Sequence, residues 1–288
     1  MAFRTIAVAA LALLFSCAHR VEVRDLATGK VFGEDRLVRR LPDRGTIVIG
    51  EHHYTPVIQE AEGRLIRKVV TEKYREAGFT VGWEFLPYHR QPQITAAMER
   101  WQNGGLGEWQ FLKALFPEQK TREQHRDYLP MLEAVRDLRG QLLGLNAPDD
   151  WKKAITQRGL ARLPESRRPT DVPPATDAYR DRFTRAMKHH VRNGKTLEHY
   201  FEAQTYTDAV MAWALRTGSH HSLRFVIAGS FHTDYQDGVV RALARTPEER
   251  PVTIKMIDAT ALEDEAVDDL VAGDEKYGKI ADYLYIIR

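Results

Sequence analysis

Gly45-Thr46-Ile47-Val48-Ile49-Gly50-Glu51-His52-His53-Tyr54 is the stretch that decides the fold of this chain. Thr46 to Ile49 form a short apolar run closed at each end by glycine. A run this short, without polar alternation, reads as a strand buried on both faces, the kind found in parallel sheets. The residues that follow turn abruptly polar. They put a carboxylate, two imidazoles and a phenol just past the carboxyl end of that strand. Open parallel sheets bind their ligands at that end.

Downstream, Ile58, Ala61, Leu65, Val69 and Val70 recur at helical spacing and predict a helix over 57–77, closed by Gly78. A second strand is expected at 79–85, helices at 91–102 and 106–116, and a helix from Pro130 to about 138. A third strand follows at 141–145. Then the character changes. A helix at 150–157, a Pro- and Arg-rich exposed connection at 158–175, and helices at 176–191 and 196–217 come with no strand between them. Strands return at 224–228, 252–257 and 283–287, with a helix at 237–244 and an exposed acidic segment at 263–269. Upstream, 21–24 and 30–32 flank Ala27-Thr28-Gly29 and read as a hairpin. The alternation predicts an α/β fold: a mostly parallel central sheet flanked by helices, with a helical insertion at about 150–217 between the third and fourth core strands.

Composition narrows the function. The chain has 288 residues, 43% of them hydrophobic and 28% charged, which is ordinary for a globular protein. A formal net charge of +2, without a basic stripe interleaved with aromatics, argues against nucleic acid as a partner. The single cysteine permits no intrachain disulfide.

That cysteine sits behind a leader. Arg4 supplies a positive start, Ile6 to Phe15 an apolar stretch too short to span a bilayer, and Leu14-Phe15-Ser16-Cys17 a lipoprotein cleavage box. The expectation is a lipoprotein signal peptide over 1–16 and a single α/β domain over 17–288. The mature chain would be held on a membrane by acylated Cys17 in the bacterial cell envelope. Ala18 after the cysteine gives no aspartate retention signal, which favours the outer membrane.

The strand ends nominate the site. Glu51, His53 and Tyr54 follow the first core strand, and Glu84, Tyr88 and His89 belong to the second. Asn146 ends the third, and His232, Asp234 and Asp237 follow the fourth. Carboxylates beside apolar strands need a partner, and an imidazole is one. Together they can act as acid and base or hold a transition metal, and Tyr or His can ligate haem iron. Each also has a structural reading: Asn146 as a helix cap, Glu51 and Glu84 as ion-pair partners. His52 points away from His53 in extended geometry. His189, His190, His220 and His221 have no strand-end logic and are expected at the surface. Gln204 and Asp208 share one helical face, and either support the site from above or satisfy backbone groups.

Six motifs in order then resemble one family. Gly50-Glu51-His52-His53 is similar to the Gly-Glu-x-His signature of the ChaN-like haem-binding lipoproteins, in the Tiki/TraB/erythromycin-esterase superfamily. Trp83-Glu84-Phe85, Tyr128-Leu129-Pro130, Gly144-Leu145-Asn146-Ala147-Pro148, Gln204 with Asp208, and Gly229 with His232 and Asp237 resemble its further motifs. The resemblance implies a haem or iron-porphyrin ligand in iron uptake, bound near Glu51, His53, Tyr54, Glu84, Tyr88, Asn146, Gln204, Asp208 and His232, with a homodimer as a compatible assembly. It also implies an alternative, a hydrolase using Glu51, His53, Glu84 and His232, with or without a divalent metal. One departure stands out: many relatives carry Asp directly after the histidine, where this chain has Tyr54.

Overall fold

The computed structural model describes residues 19–73, 78–169, 173–188 and 194–288. The leader with Cys17, and likewise His189 and His190, lie outside the described residues. Eight strands form one sheet: β1 (Val21–Asp25), β2 (Val31–Phe32), β3 (Gly45–Glu51), β4 (Phe79–Pro87), β5 (Gln141–Asn146), β6 (Leu223–Gly229), β7 (Val252–Asp258) and β8 (Tyr283–Ile287). Their order is β2-β1-β8-β7-β3-β6-β4-β5. From β8 to β5 all neighbours are parallel, and the β1–β2 hairpin adds an antiparallel edge against β8. This is the mostly parallel α/β sheet expected.

Burial explains the strands. Ile47, Val48 and Ile49 are all fully shielded, so β3 has helices over both faces. One cover is the helix Pro56–Lys73, whose Ile58, Ala61, Leu65, Ile66, Val69 and Val70 face the core. Gln59 and Glu62 lie on that same buried face. Gly63 lets this helix touch the helix Leu129–Asp137 backbone to backbone, since a Cβ there would stand 2.5 Å from the Pro130 carbonyl. The insertion between β5 and β6 comprises the helices Asp149–Arg158, Asp177–Met187 and Gly194–Gly218. Met211, Ala212 and Leu215 of the last pack on the other face of the sheet with Val226 and Ala228.

At the β5 edge, the Gln91 side chain replaces a missing strand: its Oε1 accepts from Gly144 N–H at 2.8 Å and its Nε2 donates to the Leu142 carbonyl at 2.9 Å. The acidic side chains of 263–269 are exposed as expected, on a helix, Asp264–Ala272, whose Val267 buries completely against Leu284 and Ile286. One expectation needs correction. The connection after residue 158 is anchored rather than wholly exposed: it forms 3₁₀ turns at Leu160–Arg162 and Glu165–Arg167 around a buried Leu163.

Candidate functional site

The sheet order sets β6 between β3 and β4, so the strand ends carrying Glu51, Gly229 and Glu84 adjoin. Glu51 and Gly229 are in register. Residues far apart in the chain therefore meet along one rim.

Glu51 is the inner anchor, almost completely shielded from water. Its Oε1 accepts from the Tyr128 hydroxyl at 2.8 Å and lies 2.9 Å from His53 Nδ1. Its Oε2 accepts from Gln59 Nε2. Beneath it sits Glu62, whose carboxyl oxygens meet no donor among the described residues. Burial first, and then the Glu51 charge, hold the Glu62 carboxyl well above the usual range. As a neutral acid, Glu62 can donate to Glu51.

His53 bridges two carboxylates, with Nδ1 on Glu51 and Nε2 3.8 Å from Glu84 Oε2. Burial by itself would lower its pKa, but the bond to Glu51 and the Glu84 charge raise it. The ring lies over Gly229, where a Cβ would stand 2.4 Å from His53 Nε2.

Glu84 Oε2 accepts the Gly229 N–H at 2.6 Å, and its Oε1 stands 3.3 Å from His232 Nε2. Burial would raise this carboxyl; the His232 and His53 charges and the backbone N–H overcome that and bring it down to about 2. His232 Nδ1 donates to Asp208 Oδ1 at 2.6 Å. Burial opposes the imidazolium, but Glu84 and Asp208 outweigh it and raise its pKa to about 10. Asp208 Oδ2 accepts from the Tyr179 hydroxyl at 2.8 Å, and the Gln204 amide lies 3.0 Å from His232 Nδ1. Of the two roles expected for Gln204 and Asp208, they take the first and support the rim from above.

Glu62, Glu51, His53, Glu84, His232 and Asp208 thus form one row of acids and imidazoles, with His53 and the positive His232 set between carboxylates. Such a row holds its protons tightly. With both nitrogens committed, His232 offers no lone pair to act as a base at neutral pH. Among the described residues, no group of three or more His, Cys, Asp or Glu side chains is disposed to hold a metal ion.

Other nominated residues stand outside the row. Asn146 neither caps a helix nor faces the imidazoles: its Nδ2 donates to the Glu84 carbonyl at 2.9 Å and its Oδ1 accepts from Lys152 at 3.0 Å. Tyr88 packs edge-on against Trp213 of the insertion at 5.1 Å, and His89 is exposed beside it. His52 is exposed, in line with its expected orientation. His220 is exposed, but His221 is half-buried, with Nδ1 3.0 Å from Thr80 Oγ1 at the opposite end of the sheet. Asp234 forms a buried ion pair with Lys255 of β7 at 3.0 Å, and Asp237 accepts from Thr176 at 2.9 Å.

Tyr54 differs from all of these. It is 41% exposed and sits at φ +57°, a left-handed conformation uncommon outside glycine. Its ring rests on an aromatic floor with Phe85 at 5.6 Å, His125 at 5.6 Å and Tyr128 at 6.2 Å. The sequence reading passed over Gln59, Glu62 and His125. For Gln59 and Glu62 a signal existed: polar residues spaced by three on an apolar helical face. His125 follows the helix Gln119–Gln124 and is placed by stacking on Phe116, for which the sequence offers no periodic signal.

Residues 37–243 match the family described as haem-binding uptake, Tiki superfamily, ChaN. Among solved structures, the chain is similar to one described as cofacial haem binding to ChaN of Campylobacter jejuni, at 16% identity and TM-score 0.71, covering 93% of this chain and 97% of that one. A mutant of the erythromycin esterase EreC in its open conformation matches at 12% identity and TM-score 0.48, covering 93% and 97%. The type III effector HopBA1 matches at 12% and TM-score 0.45, covering 88% and 92%. No curated protein matches the chain.

Proposed function

The chain belongs to the haem-binding uptake family of the Tiki superfamily that includes ChaN, and we propose that it takes haem on the carboxyl-end rim of its sheet, presenting the Tyr54 phenol to iron. The observation that carries this reading is the exposed Tyr54 ring, held in a left-handed backbone turn beside the carboxylate–imidazole row. Non-glycine residues in that conformation persist where the surroundings enforce it, and they cluster at ligand sites. The donor set suits haem: phenol and imidazole are both axial ligands, and Phe85, His125 and Tyr128 give the phenol an aromatic bed. Bound haem would supply a ferric centre able to accept a phenolate. The row behind Tyr54 fixes His53 and keeps the rim in one arrangement. Tyr88, engaged with Trp213, is the weaker candidate.

Hemin titration tests it. The parent chain is expected to show a saturable Soret shift with a tyrosinate charge-transfer band. Tyr54→Phe should lose that band and weaken binding by at least about tenfold, while Tyr88→Phe should not. A Tyr54→Phe titration identical to the parent sinks the assignment, and no saturable shift in the parent sinks haem binding itself.

The same proposal puts the protein on the bacterial envelope, lipid-anchored at the outer membrane through acylated Cys17. Its support is the leader sequence alone. Labelling with a palmitate analogue, abolished in Cys17→Ser, is the expected result. A second copy presenting the same rim would close the open side of the haem, and light scattering should then show a hemin-dependent doubling of mass.

A further inference from the structure

Tyr88 and Trp213 meet edge-on, with ring centroids 5.1 Å apart, where the end of β4 faces the insertion. Beside them lies a recess of about 150 Å³ that Val210, Arg167 and Arg168 also line. A cavity of that size holds one benzene-sized ring. Val210 is buried, Tyr88 is half-buried and Trp213 is 36% exposed, so the recess has an apolar floor and an open mouth. Both arginines are held in place. Arg167 lies over the Trp151 ring at 4.9 Å, and its carbonyl accepts from the Tyr206 hydroxyl at 2.8 Å. Arg168 Nε donates to the Leu163 carbonyl at 2.8 Å and its Nη2 to the Ala161 carbonyl at 2.9 Å. Among the described residues, neither guanidinium has a carboxylate within ion-pair distance. Burial raises the pKa of the Tyr88 phenol and the Arg167 charge opposes it, so that charge acts on the recess.

We infer that this recess is a binding site for a single-ring aromatic carboxylate, with the ring against Tyr88 and Trp213 and the carboxylate at Arg167 and Arg168. Aromatic walls favour a ring set edge-on or offset against them. A guanidinium presents paired N–H donors that match a carboxylate in its own plane. Because the arginines are already held by Trp151 and by loop carbonyls, little side-chain freedom is left to lose on binding. The inference does not rest on the haem reading, since none of these residues belongs to the carboxylate–imidazole row or to the aromatic floor of Tyr54. The competing explanation is that Arg167 only covers Trp151, Arg168 only ties the loop, and water fills the recess.

Benzoate is titrated into the full chain and followed by tryptophan fluorescence and saturation-transfer NMR. Benzamide, which lacks the charge, and acetate, which lacks the ring, are titrated beside it. Saturable benzoate binding is expected, at least about tenfold tighter than either. Arg167→Gln should weaken benzoate by about tenfold and leave benzamide unchanged, while Trp213→Leu should weaken both. No saturable benzoate binding, or binding unchanged by Arg167→Gln, overturns the inference in favour of the water. Arg167 is exposed, so its variant decides the matter even if Trp213→Leu does not fold. Hemin that displaces benzoate from the recess overturns a separate site and gives the two arginines to the porphyrin's propionates.

Discussion

His232 Nε2 stands 3.3 Å from Glu84 Oε1, and both groups are withdrawn from water. Removing one partner of a buried pair strands the other charge, and this usually costs more than the pair itself contributes. Glu84 is also held by the Gly229 N–H, and His232 by Asp208. The pair therefore locks β4, β6 and the insertion together at the rim.

The pH dependence follows from the two shifts. His232, raised from 6.5 to about 10, contributes stability that is complete below 6.5 and lost as pH climbs toward 10. Glu84, lowered from 4.5 to about 2, contributes stability present above 4.5 and lost as pH falls toward 2. This pair is thus at full strength between 4.5 and 6.5. Denaturant unfolding at about pH 6 and about pH 9 should show the loss on the alkaline side. His232→Gln should cost about 3–5 kcal/mol near pH 6 and flatten that decline.

Gly229→Ala tests the seat of His53. The new Cβ would stand 2.4 Å from His53 Nε2, so the imidazole must swing outward and leave Glu51. Losing a charge-assisted hydrogen bond costs about 1.5–3 kcal/mol, less whatever solvent restores to the half-exposed ring. Proton NMR should show the imidazole titrating nearer its ordinary value, and hemin titration should show weaker binding. An unchanged His53 titration would contradict the seating described.

Parallel strands announce themselves as continuous apolar runs, which is why β3, β4, β5 and β6 were legible from Ile47, Val81, Leu143 and Val226 and their neighbours. The meeting of Glu51, Glu84 and His232 was legible too, because strand ends in such sheets share an edge. Strand-end position names the rim but not the direction of a side chain. Asn146 turns back to the Glu84 carbonyl and Tyr88 turns to Trp213. Periodicity was read for apolar residues only, so Gln59 and Glu62 went unseen on the helix facing β3. In 263–269 the acidic residues masked the periodic Val267, Leu270 and Val271, which pack beneath them.

Gln91→Ala tests the edge of the sheet. It removes the acceptor for Gly144 N–H and the donor to the Leu142 carbonyl at once. The expected loss is about 1–3 kcal/mol, from two net hydrogen bonds. The uncovered edge of β5 would be free to pair with another chain, so faster aggregation on heating should accompany the lower melting temperature. A lower melting temperature without faster aggregation would leave Gln91 as a simple packing residue.

Glu62→Gln separates the carboxyl's charge from its shape. In the unfolded chain Glu62 ionises above 4.5, whereas burial and the Glu51 charge keep its proton on in the folded protein. The folded state therefore binds more protons than the unfolded one, and stability falls as pH rises past 4.5 toward the raised value. Each pH unit in that window costs about 1.4 kcal/mol from this group. Glutamine keeps the volume and a donor toward Glu51 but cannot ionise. The variant should gain stability over the parent as pH rises from 4.5 toward the raised value, with little gain at the acid end. Parallel stability curves for the two proteins would mean that Glu62 is already ionised in the fold, and that a cation or water must stand beside it.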